Sequence, residues 1–343
     1  MENTFSLLGL TGYYYGLCAS IATLLLLGMM GGLGYAVRLK PGTVRIFGLL
    51  AIPMGIVCSR AVYCALNMEL FLETYTDPWL MLRFFDGGLS MTGLLIGLVL
   101  AAFFTARLRK VRFGTMLDVL CVSLGLLIAV LRIAEGFTDL GVGKVVEPSG
   151  MTAAVPWLFL PQRAGVNIEY RLAVYRYEAL AGLALTLVML GLFIAACKRK
   201  RTRPGDLALV FFSLYGASQT ILESMRDDGH LLITFLRVAQ LAAAFMPLIA
   251  AGIFTRRYLH IAQKGGARAF VLWTVLAACI GGLVLLEFSL DGRITIGSPS
   301  LARDYGIMTV LCILLAAIPC SLYHTLTHKL YREDHMAVHV PQG

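Results

Sequence analysis

The stretch Thr115–Glu135, TMLDVLCVSLGLLIAVLRIAE, decides the fold. A helix crosses the hydrocarbon core of a bilayer in about 20 predominantly apolar residues, and this run is of that length. Three charges interrupt it: Asp118 near its start, and Arg132 and Glu135 at its end. Residues three apart share one helix face, so Arg132 and Glu135 point the same way. A charge inside a span is costly and normally faces the protein interior rather than lipid. The question is therefore which other helices bring charges to the same depth.

Long apolar runs recur along all 343 residues, of which 58% are hydrophobic and 14% charged, with mean hydropathy +0.78. A soluble domain carries about one quarter charged residues. The chain reads as an all-α polytopic membrane bundle with nine transmembrane helices, over roughly 14–37, 44–66, 87–106, 115–135, 175–197, 206–224, 232–254, 268–288 and 305–325. The eight cysteines all fall in apolar segments, form no Cys-x-x-Cys pair and read as small buried hydrophobes. No basic leader precedes the first apolar run, so no cleaved signal peptide is expected.

A net charge of +9 would suggest nucleic acid in a soluble protein, but here the loops explain it. Alternate connections are basic: Arg38, Lys40 and Arg45; Arg107 to Arg112; Lys198 to Arg203, with Lys200 and Arg201; Arg256, Arg257, Lys264 and Arg268; and Lys329 and Arg332. The others are acidic or mixed, with Glu69, Glu73, Asp77 and Asp86; Asp139, Lys144 and Glu147; Asp227, Asp228 and His230; and Glu287 and Asp291. The basic side is cytoplasmic, which places the N-terminus outside and the C-terminus inside. The fourth and fifth helices are joined by a long external connection rich in Gly, Pro and aromatics, the kind of loop that is usually functional or disordered.

On this topology several polar residues converge at the external ends of different helices. Arg132 and Glu135 end the fourth, Glu178 opens the fifth, and Glu223 and Arg226 close the sixth. Gly87 and Gly88 open the third and Tyr15 the first. They read either as structural ion pairs at helix ends or as a site for an anionic headgroup whose acyl chains stay in lipid. Guanidinium groups suit a phosphate because they bind its oxygens through paired hydrogen bonds. Glu135 is a candidate base or simply the counter-ion of Arg132. His230 reads as a solvated loop histidine, and His324 and His328 lie at the other membrane face with no further ligands, so no metal is expected. A secondary transporter is disfavoured, because no inverted repeat is visible and the charges gather at one face rather than the midplane.

With these residues placed, residues 10–255 resemble the bacterial prolipoprotein diacylglyceryl transferases. Tyr14-Tyr15-Gly16-Leu17 is similar to the family's Tyr-Gly motif at the start of its first helix. Gly87-Gly88-Leu89-Ser90-Met91-Thr92-Gly93-Leu94-Leu95-Ile96-Gly97 is similar to Gly-Gly-Met-Ser-Phe-His-Gly-Gly-Leu-Ile-Gly. Arg132-Ile133-Ala134-Glu135 falls on Arg-Ile-Gly-Asn, and Arg171 to Tyr177-Glu178 on the segment ending Gln-Leu-Tyr-Glu. Leu214-Tyr215-Gly216, Glu223 and Arg226 fall on Tyr-Gly followed by Arg-Phe-x-x-Glu-x-x-Arg. The departures are Thr92 for the family's histidine, Glu135 for its asparagine, Tyr175 for glutamine and Gln219 for the first arginine of the last motif. The Asn-Gly-Glu that follows the fourth-helix motif is not preserved in Thr138-Asp139-Leu140.

The resemblance implies a seven-helix transferase unit over 1–255, with 256–343 adding two helices and a cytoplasmic tail. It implies transfer of the diacylglyceryl group of phosphatidylglycerol to the lipobox cysteine of prolipoprotein signal peptides, in the bacterial plasma (inner) membrane. Arg132, Glu135 and Glu223 would be catalytic. Tyr15, Gly87, Gly88, Thr92, Arg171, Glu178 and Arg226 would bind substrate. No cofactor and no nucleic-acid partner is implied. Because Thr92 removes the obvious base, the alternative is a catalytically inactive lipid- or lipoprotein-binding paralogue.

Overall fold

The computed structural model describes residues 4–7, 10–69, 71, 78–84, 87–138, 140–147, 150–164, 167–199, 202–228, 232–233, 236–261, 265–294 and 301–330. Glu73, Asp77, Asp86, Asp139, Lys200, Arg201, His230, Lys264 and Arg332 lie outside the described residues.

The apolar runs become α1 (Tyr14–Ala36), α2 (Thr43–Leu66), α3 (Met91–Arg109), α4 (Phe113–Ala134), α6 (Val174–Arg199), α7 (Asp206–Met225), α8 (Val238–Ile261), α9 (Gly266–Leu290) and α10 (Leu301–Thr325). A single turn, α5 (Gly150–Ala154), lies between α4 and α6. Of the nine long helices, all but α7 are long and apolar enough to cross a membrane. The exception, α7, carries Ser213, Gln219, Thr220, Glu223 and Ser224, all buried. It packs against α4, α6, α8 and α10, and a helix shielded from lipid by its neighbours can hold such residues.

At the centre, α4 packs against α1, α3, α6 and α7. Its residues from Val119 to Leu124 are all buried, as are Leu127 and Ile128. One apolar core runs through α1, α2, α3, α4, α6, α7 and α8; a second joins α7 and α8 to α9 and α10 through Ala217, Ala251, Leu283, Met308 and Leu315.

Three helix starts differ from the sequence reading; the last helix, expected from residue 305, begins at Leu301. The third helix begins at Met91, not at residue 87, because Gly87 and Gly88 take φ values of 87° and 66°. These are left-handed conformations that do not continue into a right-handed helix. Ser90 is the cap, its hydroxyl accepting from the Gly93 amide at 3.4 Å. The helix expected over 232–254 begins at Val238, since β6 (Leu232–Ile233) and β7 (Leu236–Arg237) pair antiparallel ahead of it.

The long connection between α4 and α6 is folded. β3 (Val142–Val146), β4 (Phe159–Ala164) and β5 (Asn167–Ala173) form an antiparallel sheet in the order β3-β5-β4. Phe159, Leu172 and Val174 form a small core of their own. β3 also reaches the end of α7: Gly143 bridges to Arg226, and the Asp227 amide donates to the Val142 carbonyl at 2.9 Å. A further hairpin, β1 (Thr4–Leu7) with β2 (Leu10–Tyr13), precedes α1.

At the opposite end of the bundle Asp118 is a helix cap. Its carboxylate accepts from the Gly205 amide at 2.7 Å and the Ala208 amide at 2.9 Å, donors that the first turn of α7 leaves free. Asp206 pairs with Arg257 of α8 beside it. The α1–α2 and α3–α4 turns meet at this end too, where Arg109 donates to the Pro41 carbonyl at 2.6 Å.

The α2–α3 pair is held by close approach at Gly93 and Gly97. A Cβ on Gly97 would lie 2.5 Å from the Met54 carbonyl oxygen, and one on Gly93 would lie 2.4 Å from that of Cys58. Gly97→Val must force the backbones apart. A loss of about 1–3 kcal/mol is expected, or more if α3 cannot shift. Thermal unfolding in detergent, followed against wild type, checks it; an unchanged midpoint would remove the close-packing role.

Candidate functional site

Residues from three helix ends and one turn meet in a buried charged cluster. Arg132, in the last turn of α4, donates from Nη1 to Glu135 Oε1 at 2.5 Å. Its Nη2 lies 3.2 Å from Glu178 Oε1, at the start of α6, and 4.0 Å from Glu223 Oε1, at the end of α7. Arg226, the residue that ends α7, donates to Glu178 Oε2 at 2.9 Å, Glu135 Oε2 at 3.0 Å and Asp228 Oδ2 at 2.9 Å. The exposures are 4% for Arg132, 3% for Arg226 and 1% for Glu178. The cluster is thus two guanidinium groups among four carboxyl groups, all withdrawn from solvent and lipid. Such a set is tolerated only when nearly every donor and acceptor is matched.

The matching is uneven. Both oxygens of Glu135 and both of Glu178 are held by guanidinium groups. Glu223 meets Arg132 and the Gln219 amide, 3.0 Å away, through the same oxygen. Gln219 also donates to Glu178 at 2.6 Å. On the Arg132 guanidinium, Nε has no hydrogen-bond partner among the described residues.

The cluster closes one end of a cavity of about 550 Å³. Its walls are apolar and come from α1, α2, α3 and α4, with Leu24, Ile52, Leu94 and Leu127 among them. Tyr15, Ser59, Ser90 and Thr92 add hydroxyl groups, and Arg132, Glu135, Glu223 and Arg226 supply the charge.

Of the residues singled out in the sequence, Tyr15, Thr92, Arg132, Glu135, Glu223 and Arg226 line this cavity together. Glu178 stands behind them, bridging the two arginines. Arg171 is not brought in: it lies on β5 and pairs with Asp227 at 2.9 Å. Gly87 and Gly88 are not among the lining residues either. Their carbonyls accept from Arg60, which also takes the Leu80 and Met81 carbonyls and so fastens the α2–α3 connection. Gln219 and Asp228 belong to the cluster although the sequence drew attention to them only as a departure and a loop acid. No spacing signal marks Asp228; its role follows from Arg226 Nε and Nη2 converging on it and from the Gly141 amide donating to it at 2.9 Å. His324 and His328 stack on each other near the far end of α10, with centroids 4.3 Å apart.

Fold and site together define a polytopic membrane protein with an amphiphilic cavity: apolar along its length and charged at one end. A family model of prolipoprotein diacylglyceryl transferase matches residues 2–256. The chain belongs to that family. It is 27% identical over 251 residues to the phosphatidylglycerol–prolipoprotein diacylglyceryl transferase of Bacillus licheniformis, covering 71% of this chain and 88% of the relative. For the Thermotoga maritima protein of the same name the identity is 30% over 235 residues, 65% of this chain and 71% of the relative. For that of Clostridioides difficile it is 24% over 262 residues, 76% and 96%. α9 and α10 lie beyond the matched residues.

Proposed function

We propose that the protein transfers the diacylglyceryl group of phosphatidylglycerol to the lipobox cysteine thiol of a prolipoprotein signal peptide. The observation that carries this is the cavity. Its apolar walls suit acyl chains, and the Arg132–Glu135–Glu223–Arg226 end suits a polar headgroup. In the step, the cysteine sulfur attacks the glycerol carbon that bears the phosphate ester. A C–S bond forms, the C–O bond breaks, and glycerol phosphate leaves with the electron pair. The thiol proton passes to a carboxylate of the cluster. Arg132, whose side chain lines the cavity, stabilises the charge growing on the leaving phosphate. Tyr15 and Thr92 hydrogen-bond the headgroup, and Glu178 with Arg226 holds Arg132 and Glu135 in place. Arg171, Gly87 and Gly88 act indirectly, by fixing the external sheet and the α2–α3 connection.

The reading places the chain in the bacterial plasma membrane, with the cavity's charged end and the N-terminus outside and the basic connections and C-terminus cytoplasmic. Residues 1–255 form the transferase unit, with 256–343 as its extension. One observation favours a second reading, a lipid- or lipoprotein-binding paralogue without catalysis: no histidine lines the cavity among the described residues, and Thr92 stands where the resembling family has one. One assay separates them. Purified protein in phosphatidylglycerol vesicles receives a lipobox peptide, and mass spectrometry reads the mass of its cysteine. A diacylglyceryl adduct is expected. Folded protein that binds phosphatidylglycerol and yields none would establish the binding reading.

A further inference from the structure

The last turn of α7 carries Glu223 and leads directly to Arg226, so both site residues depend on how that turn is held. A helix leaves its final carbonyls without intrahelical donors. The Ser224 carbonyl is one of them, and it is buried with a side chain that is 0% exposed. It accepts instead from the Tyr305 hydroxyl of α10 at 3.0 Å. A second bond supports the same turn from α8: Gln240 donates to the Thr220 carbonyl at 3.2 Å, and to Glu287 of α9 at 3.1 Å. On the other side β3 bridges to Arg226 through Gly143, and the neighbouring Lys144 lies 6.0 Å from the centroid of the Tyr305 ring. The segment that presents Glu223 and Arg226 is thus clamped between the β3 sheet on one side and α8 and α10 on the other, with α9 reaching it only through Gln240.

We propose that Tyr305 is a positioning residue for the transfer reaction, and that α10 completes the active site by capping the end of α7, with α9 behind it holding Gln240. The hydroxyl touches no lining residue of the cavity in this role; it acts through the Ser224 carbonyl, fixing the backbone from which Glu223 and Arg226 project. Tyr305 is 7% exposed and packs with Met308 in the core shared by α7, α8, α9 and α10. Loss of the hydroxyl alone therefore leaves the packing in place. The proposal rests on the transferase reading above.

The test uses full-length Tyr305→Phe, which keeps the ring and deletes the donor. Thr309→Ala serves as the control on α10, because its hydroxyl bonds only within that helix, to the Tyr305 carbonyl at 2.7 Å. Transfer to a lipobox peptide is measured as kcat and as KM for phosphatidylglycerol, per folded molecule, with thermal unfolding recorded alongside. The expected result is a fall of about three- to tenfold in kcat for Tyr305→Phe, from one lost hydrogen bond at a group that orients the reacting residues. KM should stay near wild type and the unfolding midpoint should fall only modestly, because the buried Ser224 carbonyl loses its donor; Thr309→Ala should be unchanged in kcat and KM. Wild-type kcat in Tyr305→Phe overturns the proposal. So does a loss of activity that follows the loss of folded protein, with kcat per folded molecule intact, since that describes a purely structural contact. A wild type that is folded but makes no adduct overturns the transferase reading itself, and this inference with it.

Discussion

Arg132→Ala is expected to leave no detectable diacylglyceryl adduct, a loss of at least about a thousandfold. Two effects combine. The variant removes the group proposed to stabilise the leaving phosphate, and it leaves Glu135, Glu178 and Glu223 crowded around Arg226 alone. Breaking a buried ion pair by deleting one partner costs about 3–5 kcal/mol, because the remaining charges stay buried without compensation. Part of the protein will therefore fail to fold, and the assay must be scaled to the folded fraction. Arg132→Lys separates the effects. A single ammonium neutralises one carboxylate but cannot reproduce the fork that spans Glu135 and Glu178. It should recover folding without recovering transfer. Wild-type turnover in the folded fraction of either variant would remove Arg132 from the site.

Much of the fold was readable because lipid imposes a length and an apolar composition on every span. α7 could be placed as well, although its own hydropathy falls short, since the apolar stretch from Leu207 to Leu214 announces it. The sheet of β3, β4 and β5 was not readable. Its strands are short, its register contains an irregularity between Val142 and Val145, and Gly and Pro interrupt the alternation that marks a strand. The positive φ of Gly87 and Gly88 was likewise hidden, because a Gly pair before an apolar run fits a helix start and a turn equally well.

The site was readable as a set of residue types at one depth, since charges in spans are costly and few. What the sequence could not supply is pairing. Arg171, Arg60 and Arg132 look alike as basic residues near helix ends, yet only Arg132 meets the cavity. Arg60 is consumed by four backbone carbonyls and Arg171 by Asp227 and the β3 sheet. Gln219 is a neutral residue in place of an arginine, and its use becomes visible only when Glu178 and Glu223 both accept from it. An arginine there would add a third cation to the cluster; the amide instead links two carboxyl groups without changing the charge.

Pairing also bears on the question of the base, which the sequence left between a catalytic and a neutralising Glu135. A thiol proton passes most readily to a carboxylate oxygen that no guanidinium holds. Glu135 offers Oε1 to Arg132 and Oε2 to Arg226, so both oxygens are engaged. Glu223 lines the same cavity and, among the described residues, is engaged through Oε1 alone. Glu223 is therefore the expected proton acceptor, and Glu135 the expected counter-ion that joins the two arginines. Glu223→Gln should lower kcat by about 10²–10⁴, the usual contribution of a general base, with KM for phosphatidylglycerol little changed. Glu135→Gln should do the reverse: a lower unfolding midpoint and weaker lipid binding, because two guanidinium groups lose one of their two shared partners, with kcat per folded molecule within about tenfold of wild type. Steady-state kinetics on the two variants, measured beside thermal unfolding, decide between the carboxylates. If Glu135→Gln instead loses the chemistry while Glu223→Gln turns over normally, the roles are exchanged.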